Sequence, residues 1–152
     1  MPQLAKGGKH VFGWSSVRDE GRIHVPPEAL AEYHFSEGDA LILLPGSRTS
    51  GGFGLGALAL VRASPRGAAL KARPDLGALQ VAEGELVTHA GKPYCWVRLR
   101  DGGIAVPAPT LAHYGIAIGD GLLVIRGSGL ALGFTVRGPL VAEGRKHTLP
   151  VF

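Results

Sequence analysis

Short apolar runs, separated by glycine and proline, alternate along the chain with short polar segments. Residues 22–25 alternate polar and apolar side chains, which is typical of a strand with one buried face. Residues 28–33 fit about two turns of helix, and the preceding Pro27 suits the first helical turn. Residues 40–44 are continuously apolar, which predicts a strand buried on both faces. Residues 53–61 are predicted to return as the partner of that strand.

The same order of predicted strands and helix occurs twice along the chain. A shift of 81 positions places residues 21–47 on residues 102–128 without a gap, and 12 of the 27 positions are identical. Upstream, the match continues after a one-residue slip, with Trp14 on Trp96 and Arg18-Asp19 on Arg100-Asp101. We therefore predict a first repeat over residues 8–74 and a second over 91–152. Residues 75–90 are predicted to be a linker, with strand character around 79–81 and 85–87.

The repeat leads to a prediction of the fold. Three short strands and a short helix cannot enclose a core alone, whereas two such units can share one. The chain holds 24 glycines and 11 prolines, which excludes a bundle of long helices, and 45% of its residues are apolar, which is enough for a core. We predict a mainly β fold with short helices, in which the two copies interleave into a closed or nearly closed barrel with pseudo-twofold symmetry.

The net charge and the cysteine content indicate which partners and which cellular compartment to expect. The net charge of +4 permits an anionic partner without requiring one. A single cysteine, Cys95, excludes an internal disulfide framework and a zinc site of several cysteines, and it suits a reducing compartment. Residues 1–9 lack the apolar core of a signal peptide, and no apolar stretch is long enough to cross a membrane. The expected location is the cytoplasm, with no membrane partner.

One string carries a family resemblance. Residues 21–26 read Gly-Arg-Ile-His-Val-Pro, followed by Leu30 and by Gly38-Asp39 before an apolar strand. This pattern resembles the SpoVT/AbrB swapped-hairpin domain family. The second copy keeps six of these positions, namely Ile104, Val106, Pro107, Leu111, Gly119 and Asp120. The resemblance implies an intertwined β-barrel, usually formed by two chains and here by two fused copies. It also implies a prokaryotic transcriptional regulator or antitoxin. Such a protein would bind double-stranded DNA either as the pseudo-dimeric chain itself or as a homodimer of such chains.

The candidate DNA contacts are arginines just before or within the first strands of each copy: Arg18, Arg22, Arg98 and Arg100. The resemblance implies that arginines there and on the short helix contact phosphates and bases. Arg22 has Gly103 as its counterpart, and the first short helix carries Glu28 and Glu32. These departures keep open the alternative of a structural or protein-interaction barrel that has lost DNA binding. A second basic set comprises Lys71, Arg73, Arg145 and Lys146.

Other residue patterns bear on catalysis. Asp39 and Asp120 are interpreted as turn residues that bond their own backbone. The six histidines show no metal-ligand spacing, so no metal is predicted. Residues 127–133 are rich in glycine and follow a strand, but no helix is expected after them to hold a pyrophosphate, so no other cofactor is predicted. No paired carboxylates or nucleophile motif point to an enzyme. A third hypothesis, self-cleavage at the bond before Ser47 or Ser128, rests only on the repeated Gly-Ser pair.

Overall fold

The elements alternate as short strands and shorter helices. A computed structural model describes residues 10–152, so residues 8 and 9 of the predicted first repeat lie outside the described residues. The strands are β1 (Val11–Ser16), β2 (Arg22–His24), β3 (Ala40–Pro45), β4 (Phe53–Ala57), β5 (Val87–His89), β6 (Lys92–Arg98), β7 (Gly103–Ala105), β8 (Gly121–Ile125) and β9 (Leu132–Thr135). The helices are α1 (Pro27–Glu32), α2 (Leu58–Arg62), α3 (Ala68–Ala72), α4 (Pro74–Gly77), α5 (Ala108–Ala112) and α6 (Pro139–Gly144).

The strands of the two copies interleave in one large sheet. Its order is β1-β8-β9-β4-β3-β6-β5, and every ladder in it is antiparallel. The repeat makes β1, β3 and β4 the equivalents of β6, β8 and β9. β1 of the first copy pairs with β8 of the second, and β6 of the second pairs with β3 of the first. The ladder between β4 and β9 joins two equivalent strands at the centre. The mainly β prediction is thus confirmed.

A second, two-stranded sheet is formed by β2 and β7, one strand from each copy. Ile23 and Ile104 face each other in this pair, and both are buried in the same apolar cluster as Leu41 and Leu122 of the large sheet. Ser15 of β1 donates a hydrogen bond from Oγ to the carbonyl of His24 at 2.8 Å. The alternation predicted for residues 22–25 is therefore confirmed, with one face in the main core and one face outward.

The central strands are buried on both faces, as predicted. Leu41 and Leu43 of β3 point into the main core, whereas Ile42 and Leu44 point into a second cluster on the other face. That second cluster is covered by α2, α3 and the stretch after α4. A third cluster around Leu123 and Val141 covers the equivalent face beside α6; its members are Val11, Leu123, Ile125 and Val141.

Some predicted boundaries were wrong. Residues 58–61 were predicted to continue a strand, but α2 begins at Leu58, because Leu58 and Val61 pack on the second cluster at helical spacing. Residues 79–81 do not form a strand: Leu79 has a positive φ of 58°, and the carbonyl of Val81 accepts a hydrogen bond from Trp96 Nε1 at 2.8 Å. Strand structure in the predicted linker is limited to β5.

The predicted closure into a barrel is not found among residues 10–152. The large sheet has two end strands, β1 and β5, and no ladder joins them. The outer edge of β1 is instead covered by the C-terminal residues, because Trp14 forms a parallel bridge with Val151 and its N–H donates to the Pro150 carbonyl at 2.8 Å. That edge is therefore already hydrogen-bonded and not available to another strand.

The two copies differ by one residue in the turn that precedes β2 or β7. In the second copy, Arg100 and Gly103 close a two-residue turn in which Asp101 and Gly102 have φ values of 53° and 71°. These values are those of the tight hairpin turn that favours Asp-Gly. In the first copy, the Arg18 N–H donates to the carbonyl of Arg22 at 2.8 Å, so the loop is one residue longer. This difference is the one-residue slip of the sequence repeat.

Candidate nucleic-acid interface

The outer face of the β2–β7 pair carries the first candidate side chains. Arg22 lies opposite Ala105, and His24 lies opposite Gly103. Arg22, His24 and Ala105 are exposed, because the inward positions of both strands are taken by the buried isoleucines. This face is therefore a short antiparallel ribbon with two polar side chains on one strand and two small residues on the other.

The lack of an arginine at position 103 has a packing reason. A Cβ atom at Gly103 would lie 2.7 Å from the carbonyl oxygen of Ile23 on the neighbouring strand. That distance is shorter than real Cβ contacts allow, so the close approach of β2 and β7 requires glycine there. The departure from the family pattern at Gly103 thus follows from strand packing.

Three of the four predicted arginines meet at one cleft. Arg22, Arg98 and Arg100 line a depression of about 280 Å³ beside the ribbon, together with Asp101. Arg18 does not line this cleft. It lies on the turn before β2, exposed, and is joined to Arg22 through the backbone hydrogen bond of that turn. Arg18 and Arg100 thus lie at the turns before β2 and β7, Arg22 lies on β2, and Arg98 ends β6.

The three cleft arginines differ in what they already bind. The Arg100 guanidinium pairs with Glu83 at 2.6 Å, and the same carboxylate oxygen accepts the Arg98 backbone N–H at 2.9 Å. These contacts lower the pKa of the Glu83 carboxyl even though its partial burial acts in the opposite direction. Arg98 donates from Nη1 to the Gly38 carbonyl at 2.9 Å, and its Cζ lies 5.2 Å from the Trp96 ring centroid.

Arg22 is held least tightly. Its Nε donates to the backbone carbonyl of Asp19 at 3.3 Å. In the part of the chain that the structure describes, neither Arg18, Arg22 nor Arg98 forms a salt bridge. Their charge is therefore not cancelled by a paired carboxylate, unlike that of Arg100.

Carboxylates nevertheless surround the arginines. Glu37 accepts the backbone N–H groups of Asp101 and Gly102, and so caps the tight turn of the second copy. Glu20 and Glu83 line a neighbouring depression beside Arg100. Acidic and basic groups thus alternate around the ribbon, and the surface is not a uniformly positive patch.

Two of the four residues in the second basic set predicted from the sequence form salt bridges. Arg73 binds Asp75 at 3.0 Å, and Lys146 lies 3.4 Å from Glu143. The matched aspartates behave as predicted: Asp39 Oδ2 accepts the Ser36 N–H at 2.8 Å, and Asp120 Oδ2 accepts the Ala117 N–H at 2.9 Å. Their role as turn residues that bond the local backbone is confirmed.

One group of basic residues was not singled out from the sequence. Arg48, Lys92, His113 and Arg137 line a cleft of about 460 Å³ at the turn between β3 and β4. They are scattered over 90 positions, so no local motif marks them. A signal does exist in the repeat: position 113 is the counterpart of Glu32, and the acidic residue has become a histidine.

The described residues show neither a metal cluster nor a membrane-spanning helix. Within residues 10–152, no three histidine, cysteine, aspartate or glutamate side chains come together as a metal site would require. Among the described residues, no helix is both long and apolar enough to cross a membrane. Comparison of the chain with models of known protein families, with curated proteins and with solved structures gave no match.

Proposed function

We propose that the protein binds double-stranded DNA through the β2–β7 ribbon and acts as a transcriptional regulator of the SpoVT/AbrB kind. The observation that carries this proposal is the meeting of Arg22, Arg98 and Arg100 at a ribbon built from one strand of each copy. The exchange of β1 and β6 between the copies is what a fused pair of swapped-hairpin domains would give.

A two-stranded antiparallel ribbon is a known shape for reading DNA. The major groove admits such a ribbon, and outward side chains then reach base edges while neighbouring residues contact phosphates. Here Arg22 and His24 would face the groove, and Gly103 and Ala105 would let the backbone of the second strand approach closely. Arg18, next to the ribbon on an exposed turn, is positioned for a phosphate.

The ion pairs of the four arginines allow their expected contributions to DNA binding to be ranked. Arg18 and Arg22 are exposed and without a salt bridge among the described residues, so they should supply most of the electrostatic attraction. Arg100 should contribute least, since Glu83 already holds its guanidinium. Replacing Glu83 by glutamine would free that charge.

A salt titration with matched variants tests the proposal. Duplex binding is measured by fluorescence anisotropy with a genomic fragment library at several salt concentrations, for the parent chain, Arg22→Gln, Arg18→Gln and Arg145→Gln. Arg145 is an exposed arginine beyond α6. It belongs to the second basic set and not to the ribbon, so it serves as the charge-matched variant that distinguishes binding through the ribbon from binding through that set. Each lost phosphate contact should lower the slope of log affinity against log salt by about 0.9, so Arg18→Gln and Arg22→Gln should weaken binding and Arg145→Gln should not.

Two results would overturn DNA binding through the ribbon. One is the absence of duplex binding at low salt, and the other is an equal loss of affinity in Arg22→Gln and Arg145→Gln. The first result would favour the second candidate function, a protein-interaction module. That candidate is favoured by the carboxylates around the ribbon, above all by Glu83, which neutralises one of the predicted DNA contacts.

A further inference from the structure

A cleft of about 460 Å³ is lined by none of the predicted DNA contacts. It is bounded by the β3–β4 turn, by the turn before β6, by the end of α5 and by Arg137 beyond β9. Four basic side chains line it: Arg48, Lys92, His113 and Arg137. None of the residues that line it carries a carboxylate. In a protein with 12 acidic residues, such a cleft is a local concentration of positive charge.

Arg137 is held in place by backbone alone. Its Nη2 donates to the Arg48 carbonyl at 2.9 Å. Its guanidinium lies against Gly51, where an added Cβ would come within 2.5 Å of Nη1. Gly51 also has a φ of +63°, so a side chain there is disfavoured for two reasons. A guanidinium fixed in this way keeps its other N–H groups for a ligand.

The charges of the cleft are not cancelled by ion pairs. In the described part of the chain, no salt bridge includes Arg48, Lys92 or Arg137. Ser47 also lines the cleft, and its Oγ lies 2.7 Å from the Oγ of Ser50 on the same turn. Arginine, lysine and hydroxyl groups together are the donors that proteins use for phosphate oxygens.

The repeat supplies an internal comparison. The equivalent turn, between β8 and β9, has a cleft of only about 130 Å³. An ion pair between Arg126 and Glu32 lies there, with Arg126 Nε donating to Glu32 at 2.7 Å. At the corresponding positions of the larger cleft, Glu32 is replaced by His113 and Arg126 by Pro45. The cleft at the β8–β9 turn is therefore neutralised by its own ion pair, whereas the cleft at the β3–β4 turn stays basic.

We propose that the cleft of Arg48, Lys92, His113 and Arg137 binds the phosphoryl group of a small ligand. Its volume of about 460 Å³ lies within the range of about 300 to 1,000 Å³ for small-molecule sites, so it can hold a group larger than phosphate alone. The fixed Arg137 would bind two oxygens, and Lys92 would add a point charge at the mouth. This proposal does not depend on DNA binding, since none of the predicted DNA contacts lines the cleft.

Calorimetric titration with inorganic pyrophosphate tests the site, with inorganic phosphate as the smaller probe and chloride at equal ionic strength as the blank. Arg137→Gln should weaken pyrophosphate binding at least about tenfold, as expected for a lost charge-assisted hydrogen bond. Arg126→Gln, which removes the arginine of the smaller cleft in the other half, should leave the affinity within about twofold. Should Arg137→Gln fail to fold, the exposed Lys92→Gln provides the same test.

Three results would overturn the proposal. Pyrophosphate binding no stronger than the chloride blank would do so, and so would equal weakening by Arg126→Gln and Arg137→Gln. The third experiment measures the affinity of Arg137→Gln for duplex DNA. If this variant loses as much affinity for the duplex as for pyrophosphate, the cleft binds the DNA backbone and not a small ligand. Loss of duplex binding in Arg22→Gln alone would leave this proposal intact.

Discussion

Replacement of Phe134 by alanine should destabilise both copies together. Phe134 and Phe53 lie opposite each other in the central β4–β9 ladder, with ring centroids 4.8 Å apart and planes 18° from parallel. Both side chains are fully buried, and Tyr114 packs its ring edge-on against Phe53. Removing a phenylalanine from such a core costs about 3 to 5 kcal/mol of unfolding free energy.

The expected size of the effect makes it measurable. A domain of this kind has about 5 to 15 kcal/mol of unfolding free energy, so the variant should remain folded in buffer. With a urea dependence of about 2 kcal/mol per molar, the unfolding midpoint should fall by about 2 M. Because the core is shared, the steepness of the transition should not change.

Trp14 and Trp96 allow the two copies to be followed separately. Trp14 lies on β1 of the first copy and Trp96 on β6 of the second. In Trp14→Phe and Trp96→Phe backgrounds, the remaining tryptophan reports one copy, and both reporters should shift by the same urea concentration when Phe134 becomes alanine. Leu60, an exposed residue of α2, gives the control: Leu60→Ala should change the unfolding free energy by no more than about 0.5 kcal/mol. If the Trp96 transition moves while the Trp14 transition stays, the shared core is refuted.

Two further predictions concern single positions. Gly21 and Gly102 are equivalent and share a φ of +71°, but a Cβ at Gly21 would meet a backbone oxygen at 1.7 Å while the space around Gly102 is open. Urea unfolding should therefore show a loss of about 1 to 2 kcal/mol of unfolding free energy for Gly102→Ala and a larger loss for Gly21→Ala. Equal losses would contradict the close contact at Gly21. Burial raises the pKa of the Cys95 thiol to about 12, so almost no thiolate forms near pH 8. A disulfide reagent should therefore leave the native protein unmodified and react with Cys95 only after denaturation. Rapid labelling of the native protein would contradict the burial of this thiol.

Local features of the fold could be predicted from the sequence. The alternation at residues 22–25, the continuous apolar run in β3 and the Gly-Asp turns at residues 38–39 and 119–120 each depend on neighbouring residues, and each agrees with the structure. The one-residue slip between the copies also marked a real difference in turn length. These features follow from side-chain alternation and turn chemistry, which act over a few residues.

Long-range contacts could not be predicted in the same way. The pairing of Arg100 with Glu83 decides whether an arginine is free for DNA, yet nothing in the local pattern around either residue indicates it. The cover of the β1 edge by the C-terminal residues, in place of the predicted closure of the barrel, joins segments far apart in the sequence. The cleft around Arg137 joins residues from four separate segments, so it exists only once the two copies are assembled.

The exchange of strands between the copies determines when the chain can fold during synthesis. Val11 pairs with Ile125, so β1 has no partner strand until nearly the whole chain has been made. At about 5 to 20 residues per second, the second copy takes about 4 to 16 seconds to follow the first. During that time the edges of β3 and β4 lack their pairing strands β6 and β9. The first copy therefore leaves the ribosome with unpaired strand edges, which makes it prone to aggregate until the second copy has been made.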